Sequence, residues 1–211
     1  MKAGALLSLL LVGSAALAQQ DATGAPTKIE ATSFTTANGT VVVNFTTEDR
    51  DEFYELLARI GSTDRWAYSV GWKPHYLLSV YVVADPSSTT APTAASGFGE
   101  VLSSLDMESK AIVGRTDVFF RGKRSKVLKI TADGEYVSLS AENVPSLVVL
   151  AGVAESQRLS YRVTYVSSVT VPMIEFDRLK AAEFWGFWSR AAHLKITRWS
   201  NFVEVSGSGA R

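Results

Sequence analysis

The chain has 211 residues, with 21 basic and 21 acidic side chains and no cysteine. Balanced charge removes any bulk attraction to nucleic acid or an anionic membrane, and the lack of thiols excludes a disulfide scaffold and thiolate chemistry. A chain of this length buries about 70% of its unfolded surface, enough for one domain or two small ones.

The N-terminus reads as a signal peptide over residues 1–18. Lys2 supplies the positive start, residues 6–12 are apolar, and Ala16-Leu17-Ala18 offers the small-x-small pattern that places cleavage between Ala18 and Gln19. The apolar stretch from Ala3 to Ala18 covers 16 residues, whereas spanning a bilayer takes roughly 20. Cleavage removes eighteen residues and one charge, leaving 193 residues with a net charge of −1. A secreted or periplasmic protein without a membrane span is therefore expected. Residues 19–27 are small and polar and read as a disordered leader.

Residues 29–36 and 40–46 are β-rich runs flanking Asn38-Gly39, a dipeptide suited to a type I′ hairpin. Asn38 and Asn44 each begin an Asn-x-Thr sequon, and the first reads more simply as the turn. A helix follows, capped by Thr46 or Thr47, with Phe53, Leu56, Leu57 and Ile60 on one stripe and Gly61 at its end. Glu48, Asp49, Asp51 and Glu52 suit the positive end of that helix better than a metal. Trp66, Tyr68, Val70 and Trp72 alternate with smaller or polar residues, as in a half-buried strand. Residues 76–84 are apolar on both parities and read as a central strand covered on both faces. Residues 85–96 read as a loop or linker between a first lobe, 28–84, and a second, 97–205.

Residues 111–121 and 124–131 suggest a further hairpin around Gly122. Its tip carries Arg121, Lys123, Arg124 and Lys126, a candidate site for an anionic ligand and equally a guard against edge pairing. Asp133-Gly134 then opens a second hairpin followed by a helix from about residue 143. Aligned on the two Asx-Gly turns, Val43 falls on Val137, Phe45 on Leu139, Phe53 on Leu147 and Leu56 on Leu150, an internal repeat of a hairpin-helix unit. Residues 158–171 read as one long strand, 174–193 as the last helix, 195–205 as a strand and 206–211 as a flexible tail. Phe176, Leu179, Phe184, Phe187, Ala191 and Leu194 form a helical stripe in this reading. Trp185 and Trp188 fall beyond its edge, where a second layer, a partner subunit or a ligand must meet them.

Catalytic patterns are sparse. His75 and His193 stand in separate contexts, no His-Glu-x-x-His, P-loop or Gly-x-Ser-x-Gly motif occurs, and Gly97-Phe98-Gly99 lacks the third glycine, Leu102 standing in its place. No metal, cofactor or nucleic-acid partner is expected. The expected fold is α+β, with mostly antiparallel sheet of eight or nine strands and three main helices. The expected function is a non-enzymatic binding or assembly protein, working through Trp185, Trp188 and the basic tip, with a homo-oligomer or protein partner on the last helix. A small hydrolase of envelope or extracellular polymers is the alternative.

Overall fold

The computed structural model describes residues 28–83, 91–122, 128–133, 135–166 and 168–207. The signal peptide, its cleavage junction and the leader lie outside the described residues. The fold is α+β and holds twelve strands and four helices among the described residues. In chain order they are β1 (Ile29–Thr35), β2 (Val41–Thr47), α1 (Arg50–Gly61), β3 (Ala67–Gly71), β4 (Tyr76–Val82), α2 (Ala94–Ser104), β5 (Met107–Ile112), β6 (Arg115–Phe120), β7 (Lys129–Asp133), β8 (Tyr136–Pro145), α3 (Ser146–Ser156), β9 (Ser160–Thr164), β10 (Thr170–Lys180), α4 (Ala181–Ala191), β11 (Leu194–Arg198) and β12 (Phe202–Gly207). Nine strands form one sheet in the order β11-β12-β9-β3-β4-β2-β1-β6-β5, and β10-β8-β7 form a second. Strands from both ends of the sequence share the large sheet. Its pairing is antiparallel except between β12 and β9, which run parallel.

The first hairpin forms at Asn38-Gly39, but not as the type I′ turn expected, which needs positive φ at both residues: Asn38 keeps negative φ, and a three-residue loop closes through the Thr36 N–H donating to Thr40 O at 2.8 Å. Gly39 takes φ +82°, and its N–H donates to Thr36 O at 3.0 Å. Strand β2 then runs through Thr47, so the helix is capped two residues later than the sequence suggested: Asp49 accepts from the Glu52 N–H at 3.0 Å. The stripe of α1 is buried as expected, with Phe53, Leu56 and Ile60 fully covered. Trp66 and Tyr68 of the aromatic run are buried too, and Trp72 packs edge-on to Phe53 at 5.7 Å.

Several expectations need correction. Strand β4 is covered on one face only: Leu78, Val80 and Val82 are buried, while Leu77 is 37% exposed on the open side. The linker at 85–96 ends in a helix, α2, which a Thr93/Ser96 capping box starts. Its Gly, Ser and Ala content hid it, yet those small residues let it lie close to the sheet. A methyl group on Gly97 would stand 2.8 Å from Val41 Cγ1 and 3.2 Å from Val41 Cβ. The hairpin near Gly122 is displaced: β5 and β6 turn at Val113-Gly114, with Gly114 at φ +82°. The strand expected over 158–171 breaks after β9, where Tyr165 takes φ +44°. The largest change is the last helix. Residues Thr170–Lys180 form an eleven-residue strand paired to β8, and only Ala181–Ala191 is helical. Phe176 and Leu179 therefore sit on a strand, across a register shift that includes Arg178 at φ +52°.

Helix α3 explains how the two sheets make one body. Residues 147–154 are all buried, so its apolar surface runs right round, as expected for a helix enclosed between layers. It packs on β7 and β8 of the small sheet, on β9 of the large one, and on α1.

Candidate functional site

The most connected polar cluster joins α1 to α3. Glu155 Oε2 accepts from Arg50 Nη2 at 3.1 Å and from the Tyr54 hydroxyl at 2.5 Å, and its Oε1 accepts from the Tyr76 hydroxyl at 3.0 Å. Arg50 also donates to Leu128 O at 3.3 Å and lies over the Tyr54 ring, 4.4 Å from its centroid. Burial, reinforced by the Glu155 charge, raises the Tyr54 phenol well above its ordinary value, and the same two causes raise Tyr76. Burial alone raises Tyr68 and is the leading cause for Tyr161. The cluster is a fully paired strut.

These four phenols give the stability profile a sign. Each keeps its proton more tightly folded than unfolded, where the ordinary value is 10.0. The resulting stability is complete below pH 10 and is lost as pH rises above it. Phenolate absorbance equivalent to these four of the seven tyrosines is expected to appear only together with unfolding in an alkaline titration. Early, stepwise ionisation of all seven tyrosines before any loss of circular dichroism would contradict this.

A hollow of about 560 Å³ lies at the N-terminal end of α1 and is lined by Lys28, Glu30, Thr46, Thr47, Glu48, Asp49 and His75. His75 Nδ1 lies 3.4 Å from Glu48, but both side chains are largely in water. The hydrogen bond from Lys28 lowers the Glu30 carboxyl below its ordinary range. Arg115 bridges Glu30, at 3.7 Å, and the buried Asp117, at 2.9 Å. Glu30 is thus held as an anion by neighbouring cations, an arrangement suited to an ion pair and poor for proton donation. Among the described residues, no group of three or more His, Asp or Glu side chains is placed to hold a metal ion.

The residues singled out in the sequence are scattered. Trp185 and Trp188 are 5% exposed, packed on Phe184 at 5.2 and 5.4 Å. The Trp185 indole N–H donates to Gln157 at 3.2 Å, while that of Trp188 is buried without an acceptor. Arg121 is exposed and ion-paired to Glu108 at 2.8 Å, and its carbonyl accepts from Arg59 at 2.9 Å. Lys123, Arg124 and Lys126 lie outside the described residues. Asn44 sits mid-strand in β2, its side-chain oxygen buried without a partner.

Sequence reasoning missed the surface beside the tryptophans. Ile174, Glu175, Phe176 and Leu179 of β10 and Ala182, Glu183, Gly186, Phe187 and Arg190 of α4 line a groove of about 610 Å³. Phe187 of α4 is 53% exposed there, and Met173 of β10 is 73% exposed. Reading β10 as helix put Phe187 on the docking stripe. The strand instead turns the helix so that Phe184, Trp185 and Trp188 go in and Phe187 goes out. The other face of the large sheet, by contrast, carries a polar row: Thr32, Asn44, Ser79, Ser69, Arg162, Glu204 and Thr197 lie side by side across seven strands. Within it the Ser69 and Tyr81 hydroxyls satisfy each other at 2.8 Å.

Among the described residues no helix is long and apolar enough to cross a membrane. Compared with protein-family models, curated proteins and solved structures, the chain matches none, so its functional reading stands on this geometry.

Proposed function

We propose that the protein is an exported, non-enzymatic binding or assembly protein whose docking surface is the groove between β10 and α4. We propose further that the chain is an internal duplication extending well past the hairpin-helix unit. The order β-β-α-β-β-α-β-β occurs twice, from β1 to β6 and from β7 to β12. Both α2 and α4 have eleven residues, and each is followed two residues later by a positive-φ residue, Asp106 at 52° and His193 at 51°, that opens a hairpin. The orders β4-β2-β1 and β10-β8-β7 correspond. Strands β3 and β9 pair antiparallel with Tyr68 opposite Val163, Ser69 opposite Arg162 and Val70 opposite Tyr161. Matching Tyr68-Ser69-Val70 with Tyr161-Arg162-Val163 makes that pairing map onto itself, as a twofold axis through Ser69 and Arg162 requires.

The duplication supplies the observation that carries the binding reading, because equivalent faces differ in character. The solvent side of α2 presents Ala95, Ser96, Gly99, Glu100 and Ser103, with Glu100 ion-paired to Arg65. At the same places α4 presents Ala182, Glu183, Gly186, Phe187 and Arg190. A large exposed aromatic thus replaces a solvated carboxylate, and contiguous exposed apolar surface marks interaction sites.

A photo-crosslinking residue at position 187, expressed in the native extracellular setting, is expected to give discrete adducts. The same residue at position 100 is the built-in control and is expected to give none. Equal labelling at both positions, or none at 187, would sink the reading. The hydrolase alternative rests on the hollow beside His75. It would gain support if His75→Ala abolished a polymer-degrading activity of the purified protein.

A further inference from the structure

We infer that the occupant of the β10–α4 groove is a second copy of this chain, docked helix α4 against helix α4 in antiparallel fashion. The inference rests on the assembly reading above and specifies the partner. In an isologous contact about a twofold axis, each residue meets the one equally far on the other side of the axis. An axis between Gly186 and Phe187 sets Phe187 of each chain over Gly186 of the other, and Glu183 of each against Arg190 of the other.

Four features of α4 fit that arrangement. Gly186 and Ala182 present little side chain; the Arg190 guanidinium, whose Nη1 is 3.7 Å from where a Cβ on Gly186 would stand, swings out to the partner's Glu183 and clears that surface for the ring. Phe187 is 53% exposed at the centre of the contact, where anchors contribute most. Glu183 and Arg190 are both exposed, and neither makes an ion pair within its own chain among the described residues. They stand two turns apart, about 10 Å along the axis, too far to pair with each other, but a twofold brings each to the other's mate. The charge pattern is therefore self-complementary about the apolar centre. The equivalent face of α2 lacks it, with Ser96 and Ser103 in place of Glu183 and Arg190. The free edge of β10 is a poorer candidate for self-pairing, because Pro172 lacks a donor and the register shift beyond Phe176 bends the strand.

Sedimentation velocity of the purified mature protein over a wide concentration range tests this directly. A monomer–dimer equilibrium is expected, weakened at least tenfold by Phe187→Glu, roughly the loss of one central anchor. Because Phe187 is exposed in the monomer, the thermal midpoint of that variant is expected to match the wild type at concentrations too low for the dimer to form. Glu183→Arg and Arg190→Glu are each expected to weaken the dimer, and the two together to restore it, an outcome that general destabilisation does not produce. A protein that stays monomeric throughout, a dimer indifferent to Phe187→Glu, or a double reversal that fails to restore association would overturn the inference. Monomeric behaviour combined with crosslinks at position 187 to a different protein would overturn the dimer alone and leave the assembly reading standing.

Discussion

Replacing Phe184 with alanine is expected to destabilise the protein by about 4 kcal/mol, within the range for truncating a fully enclosed aromatic. Phe184 is 0% exposed and is the hub of the ring cluster under α4, with ring centroids 5.8 Å from Phe176, 5.2 Å from Trp185 and 5.4 Å from Trp188. Its removal leaves a cavity between β10 and α4 that two large, stiff indoles cannot refill without leaving their own contacts. A domain of this size is stable by about 5–15 kcal/mol, so the loss is a large share of the whole. Phe187→Ala, one turn away and exposed, is expected to change the stability of the monomer, measured at concentrations too low for association, by no more than about 0.5 kcal/mol. Denaturant midpoints of the two variants check the contrast. Similar losses for both would mean that Phe187 is part of the core and that the groove is no docking surface.

Glu155→Ala is expected to cost about 3 kcal/mol, at the low end for breaking a buried ion pair, because the Arg50 side chain is 34% exposed and water can take up part of its charge. The substitution takes the acceptor from three donors at once: Arg50, Tyr54 and Tyr76. Tyr54 is 3% exposed, so its hydroxyl loses its partner in a largely buried setting. Tyr76→Phe removes one 3.0 Å bond and is expected to cost about 1 kcal/mol. Tyr54→Phe should fall between the two. Urea unfolding of the three variants gives the order, and a Glu155→Ala loss no larger than that of Tyr76→Phe would show that the cluster does not act as a unit.

Much of the first unit was legible because its signals are local. Asn38-Gly39 fixes a turn by backbone conformation alone, the stripe from Phe53 to Ile60 fixes a helix face, and the alternation through Trp66 and Tyr68 fixes a half-buried strand. The residues that the hairpin-helix alignment matches, Val43 with Val137, Phe53 with Leu147 and Leu56 with Leu150, are all fully covered, because apolar side chains recurring at a regular spacing mark a buried face. Failure came where one pattern serves two conformations. From Thr170 to Lys180 the apolar residues fit both a helical stripe and a strand, and a free edge on β8 selected the strand. Helix α2 was hidden because its burial depends on small residues fitting against Val41, which no periodicity records.

The sequence by itself determined a cysteine-free α+β chain of balanced charge and its first hairpin and helix, because each follows from covalent identity and near-neighbour sterics. Only the tertiary structure decided which aromatics are core and which are surface. One residue of rotation about α4 separates the buried Trp188 from the exposed Phe187, and that rotation is set by the strand leading into the helix and the layer it packs on.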